Sequence, residues 1–181
     1  AVQTPKKPGA PCGDAYAVFR DEAATTILLA DGLGSGIKAH IAANMCISRL
    51  EGLIRMGLSV REAFALVAKT MNDVWGKGDP FAVFTIARIL NNGNTTVLSY
   101  EMPAPLIVNK TYCQPLINRV YTLEKAIIHE AETTIGRGDG LLLMSDGITQ
   151  AGIGKIFPLG WETDGVRSFI QSQLPVERLD G

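Results

Sequence analysis

The chain has 181 residues, of which 46% are hydrophobic and 19% charged, and its formal net charge is −1. That balance suits one globular domain with a sizeable core and excludes a charge-driven nucleic-acid binder, which needs clustered Lys and Arg. No apolar run approaches the roughly 20 residues of a membrane span, no secretory leader pattern opens the chain, and the three cysteines (Cys12, Cys46, Cys113) form no Cys-x-x-Cys pair. A reducing cytoplasm and no disulfide or zinc framework are the expectation.

Residues 1–12 carry three prolines and read as a lead-in. Two apolar-leaning stretches follow, 15–19 and 25–30, separated by the polar break Arg20-Asp21-Glu22. Folded as an antiparallel hairpin about that break, Asp14 falls opposite Asp31. Directly opposed residues have Cα atoms roughly 4.5–5.5 Å apart. Two carboxylates that close repel unless a proton or cation intervenes, and the natural guest is a hard divalent cation with oxygen ligands.

Asp31 opens the loop Gly32-Leu33-Gly34-Ser35-Gly36. A glycine turn before a helix can cradle phosphate on amide groups. This one lacks the Gly-Lys-Ser/Thr of a phosphate-binding loop and the third glycine spacing of a dinucleotide turn, and Asp31 would repel a pyrophosphate there.

After Gly36 the period becomes helical: Ala43, Cys46, Ile47, Leu50, Leu53 and Ile54 share one face, and the helix should stop near Gly57. Ser59-Val60-Arg61-Glu62 is a capping box for a second helix, whose stripe is Val60, Ala63, Phe64, Val67, Ala68 and Met71. Residues 81–90 and 95–101 read as strands around the turn Asn91-Asn92-Gly93-Asn94. Shorter strands are expected at 106–109 and 116–122, with a weaker one at 126–129. The turn Gly138-Asp139-Gly140 then leads into Leu141-Leu142-Leu143-Met144, which reads as a central strand buried on both faces. A last helix is expected at 166–174. Runs of strands and helices, without strict alternation, argue α+β with a largely antiparallel sheet in one domain, 1–181.

The apolar run delivers Ser145-Asp146-Gly147, so Asp146 is a third strand-end acid followed by glycine, as Asp31 is. A lone Asp-Gly is commonly a turn or cap. Three such acids on one sheet edge can converge on an ion, with a glycine carbonyl as a further ligand. His40 and His129 have no second His or Cys at ligand spacing and read as surface or partly packed histidines, and Cys12 reads as a small packed side chain. Asp139 and Asp164 read as turn residues.

These strings, Cys12-Gly13-Asp14, Ala30-Asp31-Gly32-Leu33-Gly34-Ser35-Gly36, and Gly138-Asp139-Gly140 leading to Met144-Ser145-Asp146-Gly147, resemble the metal-dependent Ser/Thr protein phosphatases. The branch they resemble is the one typified by the sporulation stage II E phosphatase, and within it the short stressosome feedback phosphatases. The resemblance implies an αββα sandwich of two antiparallel sheets flanked by helices. It also implies two Mn²⁺ or Mg²⁺ ions: Asp31 bridging both, Asp14 and the Gly32 carbonyl on one, Asp146 on the other. The implied chemistry is attack of a metal-activated hydroxide on the phosphorus of phosphoserine or phosphothreonine. The implied partners are phosphorylated STAS-domain stress regulators, with no nucleic acid and no membrane.

The family pattern closes with a helix and a strand carrying Asp-Asp-x-Thr, which this sequence lacks; Asp180 has neither the Thr nor the apolar run. Either the sequence is incomplete at that end or the second ion has a thinner shell. The rival expectation is a catalytically weak or inactive module of the same fold that binds the same partners.

Overall fold

The computed structural model describes residues 1–5, 9–74, 80–116, 119–123 and 126–175. Strands β1 (Asp14–Arg20) and β2 (Ala24–Gly32) form the first hairpin. Helices α1 (Ile37–Arg55) and α2 (Val60–Val74) follow. Then come β3 (Ala82–Leu90), β4 (Asn94–Tyr100), β5 (Leu106–Val108), β6 (Cys113–Pro115), β7 (Arg119–Leu123), β8 (Ala126–Thr134) and β9 (Gly140–Leu142). A one-turn helix α3 (Asp146–Thr149) and α4 (Glu162–Ser172) close the described chain. No helix among the described residues is long and apolar enough to cross a membrane.

The strands make a six-stranded sheet, in order β1-β2-β3-β4-β8-β7, and a three-stranded sheet, β6-β5-β9. Every strand pair in both is antiparallel. Period-2 alternation decides what each face of the large sheet buries. From β2, Leu28 and Ala30 turn to the core beneath α1 and α2, where Leu50, Phe64 and Val67 meet Phe84, Ile86 and Tyr100. Ile27 turns the other way, with Ala87, Val97 and Ala131, against Leu116, Leu141 and Leu143. Beyond the small sheet, Leu106, Val108, Cys113 and Met144 pack on Val166 of α4. The layers are therefore helix, sheet, sheet, helix, the αββα sandwich.

Local chemistry explains the elements. The α2 capping box forms as expected: the Ser59 amide donates to Glu62 Oε2 at 2.9 Å, and the Glu62 amide to Ser59 Oγ at 3.3 Å. Tyr100 and Phe84 stack 5.4 Å apart in the core, and the Tyr100 hydroxyl donates to Asn72 Oδ1 on α2 at 2.9 Å.

Several expected elements differ. The run 141–144 is not a central strand: β9 ends at Leu142 and lies at the edge of the small sheet among the described residues. It is apolar because it is sandwiched between layers, with Leu141 and Leu143 facing the large sheet and Leu142 and Met144 facing α4. The strand expected at 116–122 begins at Arg119; Leu116 lies outside it, and its amide donates to the Pro105 carbonyl at 2.8 Å. Residues 117–118 of that expectation lie outside the described residues, as do 6–8 of the lead-in and Asp180. The weak strand at 126–129 runs on to Thr134, because β4 and β7 pair with it on both sides. Helix α4 begins at Glu162, so Asp164 sits in its first turn and accepts from Arg167 Nε at 3.3 Å.

Candidate metal centre

The β1–β2 ladder sets Asp14 directly opposite Asp31, the register the hairpin reading requires. Both side chains are half-buried, whereas Asp146 is exposed. Backbone bonds continue just past this pair: the Gly32 amide donates to the Gly13 carbonyl at 3.1 Å and the Leu33 amide to the Phe81 carbonyl at 2.9 Å. Gly32 is required by packing: a Cβ there would lie 2.0 Å from the Ala39 carbonyl oxygen. Its bare backbone lets α1 press against the strand end, a role not read from the sequence, where glycine suggested only access for an ion.

Asp146 arrives from the other sheet, as the first residue of α3, directly after the loop that leaves β9. It comes within side-chain hydrogen-bonding reach of Asp31, as does Asp14. Burial, then the negative charges of Asp14 and Asp146, push the Asp31 carboxyl up from the usual carboxylate range to about 7. The three acids, far apart in sequence, therefore converge.

Each outer acid also has a neutral donor. Ser145 Oγ donates to Asp14 Oδ2 at 2.9 Å, and Gln150 Nε2 donates to Asp146 Oδ2 at 2.9 Å. Sequence reading did not assign either residue. The available signal was Ser145 standing where a helix cap belongs, immediately before Asp146.

The donor set fits a hard divalent cation. It consists of carboxylate oxygens, and the neighbouring charges acting on Asp31 are negative. A bound dication would remove the repulsion that now favours a proton on Asp31. The side chains stand as a cluster of mutually repelling carboxyls rather than a finished cage: among the described residues, no three His, Cys, Asp or Glu are set at metal-holding positions.

The remaining candidates lie apart from this chemistry. The imidazole of His40 donates from Nδ1 to the Cys12 carbonyl at 2.9 Å, bracing the residues before Asp14. Asp139 Oδ2 accepts from the Gly136 amide at 2.8 Å in its turn. His129 faces Ser99 across β8–β4, and its Nδ1 is buried with no hydrogen-bond partner among the described residues.

A sandwich of two antiparallel sheets flanked by helices is the fold of the PP2C-type phosphatase domains. The chain belongs to the stage II sporulation protein E (SpoIIE) family, whose model matches residues 21–175. Asp31 and Asp146 fall inside the match and Asp14 precedes it.

Solved structures share the fold. The PP2C phosphatase domain of SpoIIE from Bacillus subtilis, with a fragment of its regulatory domain, is 20% identical with a TM-score of 0.71, over 82% of this chain and 45% of that one. The RsbU and RsbW domains of Rv1364c from Mycobacterium tuberculosis are 19% identical with a TM-score of 0.71, over 92% and 47%. RsbX in complex with magnesium is 19% identical with a TM-score of 0.63, over 81% and 72%. The chain thus spans less than half the length of the first two. No curated protein matches it by sequence.

Proposed function

We propose that this chain is a manganese- or magnesium-dependent phosphoserine/phosphothreonine protein phosphatase, acting on phosphorylated STAS-domain stress regulators. The observation that carries the reading is the opposition of Asp14 and Asp31 across one ladder, with Asp146 brought to Asp31 from the second sheet. Membership of the SpoIIE family and the magnesium complex of RsbX support it.

In this reading Asp31 would serve both ions, Asp14 and the Gly32 carbonyl would serve one, and Asp146 the other. Bound dications supply phosphoryl polarisation and a water of lowered pKa. The chain's own part is to hold Asp14 and Asp31 on rigid strand ends and Asp146 at the start of α3, and to keep Asp31 half-buried, where its charge acts strongly on a cation. The partner assignment rests on the stressosome-type resemblance and on the RsbU and RsbX neighbours.

The test is release of phosphate from a phosphorylated STAS-domain protein with and without Mn²⁺. Full metal-dependent activity in Asp31→Asn would rule the assignment out, because a bridging ligand would have lost its charge without effect. A second reading, a weak or inactive module that holds the same partners, draws on the hydrogen bonds that Asp14 and Asp146 already accept. Calorimetric titration separates the two: uptake of two Mn²⁺ ions favours the enzyme, and partner binding without Mn²⁺ uptake favours the module.

A further inference from the structure

We propose that Ser145 and Gln150, on either side of Asp146, are positioning residues that set the carboxylates of Asp14 and Asp146 toward the divalent cations of this site. This rests on the metal-site reading above and concerns residues to which that reading gives no role.

Ser145 occupies the N-cap of α3, in extended backbone with φ −86° and ψ 170°. A serine there ordinarily accepts a hydrogen bond from an amide of the first turn. Ser145 makes no such bond. Its hydroxyl instead donates to Asp14 Oδ2 at 2.9 Å, a residue of the other sheet and 131 positions away in the chain. The serine is 7% exposed, so water competes little for that bond. It is a direct side-chain tie between the Asp146 and Asp14 arms of the site.

Gln150 does the corresponding work on Asp146. Its amide side chain donates to Asp146 Oδ2 at 2.9 Å, while its backbone N–H donates to the Asp146 carbonyl at 2.7 Å. The acid is therefore held by the turn that it begins.

The chemistry of the donors matters. A carboxylate offers two oxygens and about four lone-pair sites. One donor on Oδ2 fixes the plane of the group and leaves lone pairs for a cation. Serine and glutamine are neutral, so they orient without cancelling the negative charge. A Lys or Arg in either place would pair with the carboxylate and compete with the ion. Partners of this kind, one step out from the ligands, typically carry 10–100-fold in metal affinity.

The experiment is calorimetric titration of the full chain with Mn²⁺, paired with thermal melts of the metal-free proteins. Ser145→Ala and Gln150→Ala should each weaken Mn²⁺ binding roughly 10-fold. Ser145→Thr, which keeps the hydroxyl, should restore affinity to within about twofold of wild type. Ser145→Ala should add no further loss in an Asp14→Asn background, since the carboxylate that Ser145 orients is gone there. Mn²⁺ affinity unchanged in both Ser145→Ala and Gln150→Ala overturns the proposal, even if the melts fall, because that pattern marks a purely structural role. Gln150 is exposed, so its variant folds whether or not Ser145→Ala does. A wild-type chain that takes up no Mn²⁺ overturns the metal-site reading itself, and this proposal with it.

Discussion

Asp14 and Asp31 are register partners in the β1–β2 ladder, and the Asp31 carboxyl is held at about 7 by burial and by the charges of Asp14 and Asp146. Like charges are brought together here by backbone pairing that the hydrophobic faces of the hairpin enforce. The strands would have to slip to separate them, and a one-residue slip would turn Leu28 and Ala30 out of the core.

Replacing Asp31 with Asn removes the central charge at nearly constant volume. Metal-dependent phosphatase activity should fall at least about 100-fold, since the ions' stabilisation of the transition state is worth several kcal/mol. The metal-free variant should melt above the metal-free wild type, because the repulsion is gone. Paired activity assays and melts read both effects.

Stability of the metal-free protein should depend on pH in a direction opposite to ordinary paired carboxylates. The folded-state pKa of Asp31, about 7, lies above the ordinary aspartate value of 3.8. The folded state therefore holds the proton more tightly; that stabilisation is full below about 3.8 and is lost as pH rises through about 7. Asp21 and Glu62 are shifted down, so their contributions are lost only as pH falls into the carboxylate range. Melts in chelator from about pH 5 to about pH 8 should thus show a falling transition temperature, flattened in Asp31→Asn and reversed by saturating Mg²⁺.

Gly32→Ala should be costly in this short helix-to-strand contact. The new Cβ would sit 2.0 Å from the Ala39 carbonyl oxygen, a backbone atom that cannot rotate away. Overpacking of this kind costs roughly 3 kcal/mol, and the shift of α1 should weaken Mn²⁺ binding as well. Urea unfolding and Mn²⁺ titration check the two parts; unchanged stability would mean that the strand end and α1 are not in contact.

Ser59→Ala is the control for a change away from the site. It removes the hydroxyl half of the α2 capping box and should cost about 1 kcal/mol of stability. Phosphatase activity and Mn²⁺ affinity should stay at wild-type values. Urea midpoints and activity assays together show whether stability and function separate.

Much of the fold is legible in the sequence where the signal is local. The break at Arg20-Asp21-Glu22 and the flanking apolar stretches specify the first hairpin, and with it the meeting of Asp14 and Asp31. The helical stripes of α1 and α2 and the Ser59–Glu62 box place those helices within a residue or two of where they lie. The resemblance carried the layer order further than periodicity alone could. The run at 141–144 shows the limit: strong hydrophobicity reports burial between layers, not position within a sheet, so an edge strand there reads as a central one.

By itself, then, the sequence determined that Asp14 and Asp31 end the strands of one hairpin and face each other across it, because side-chain alternation and turn chemistry act over neighbouring residues; the strand end expected at Asp146 is instead the start of α3. Only the tertiary structure decided that Asp146 reaches Asp31 and that Ser145 donates to Asp14 instead of capping its own helix. It also decided that Gly32 is bare because Ala39 presses on it. Those contacts join residues of different sheets and layers, and they exist only once burial of the apolar faces has packed the layers together.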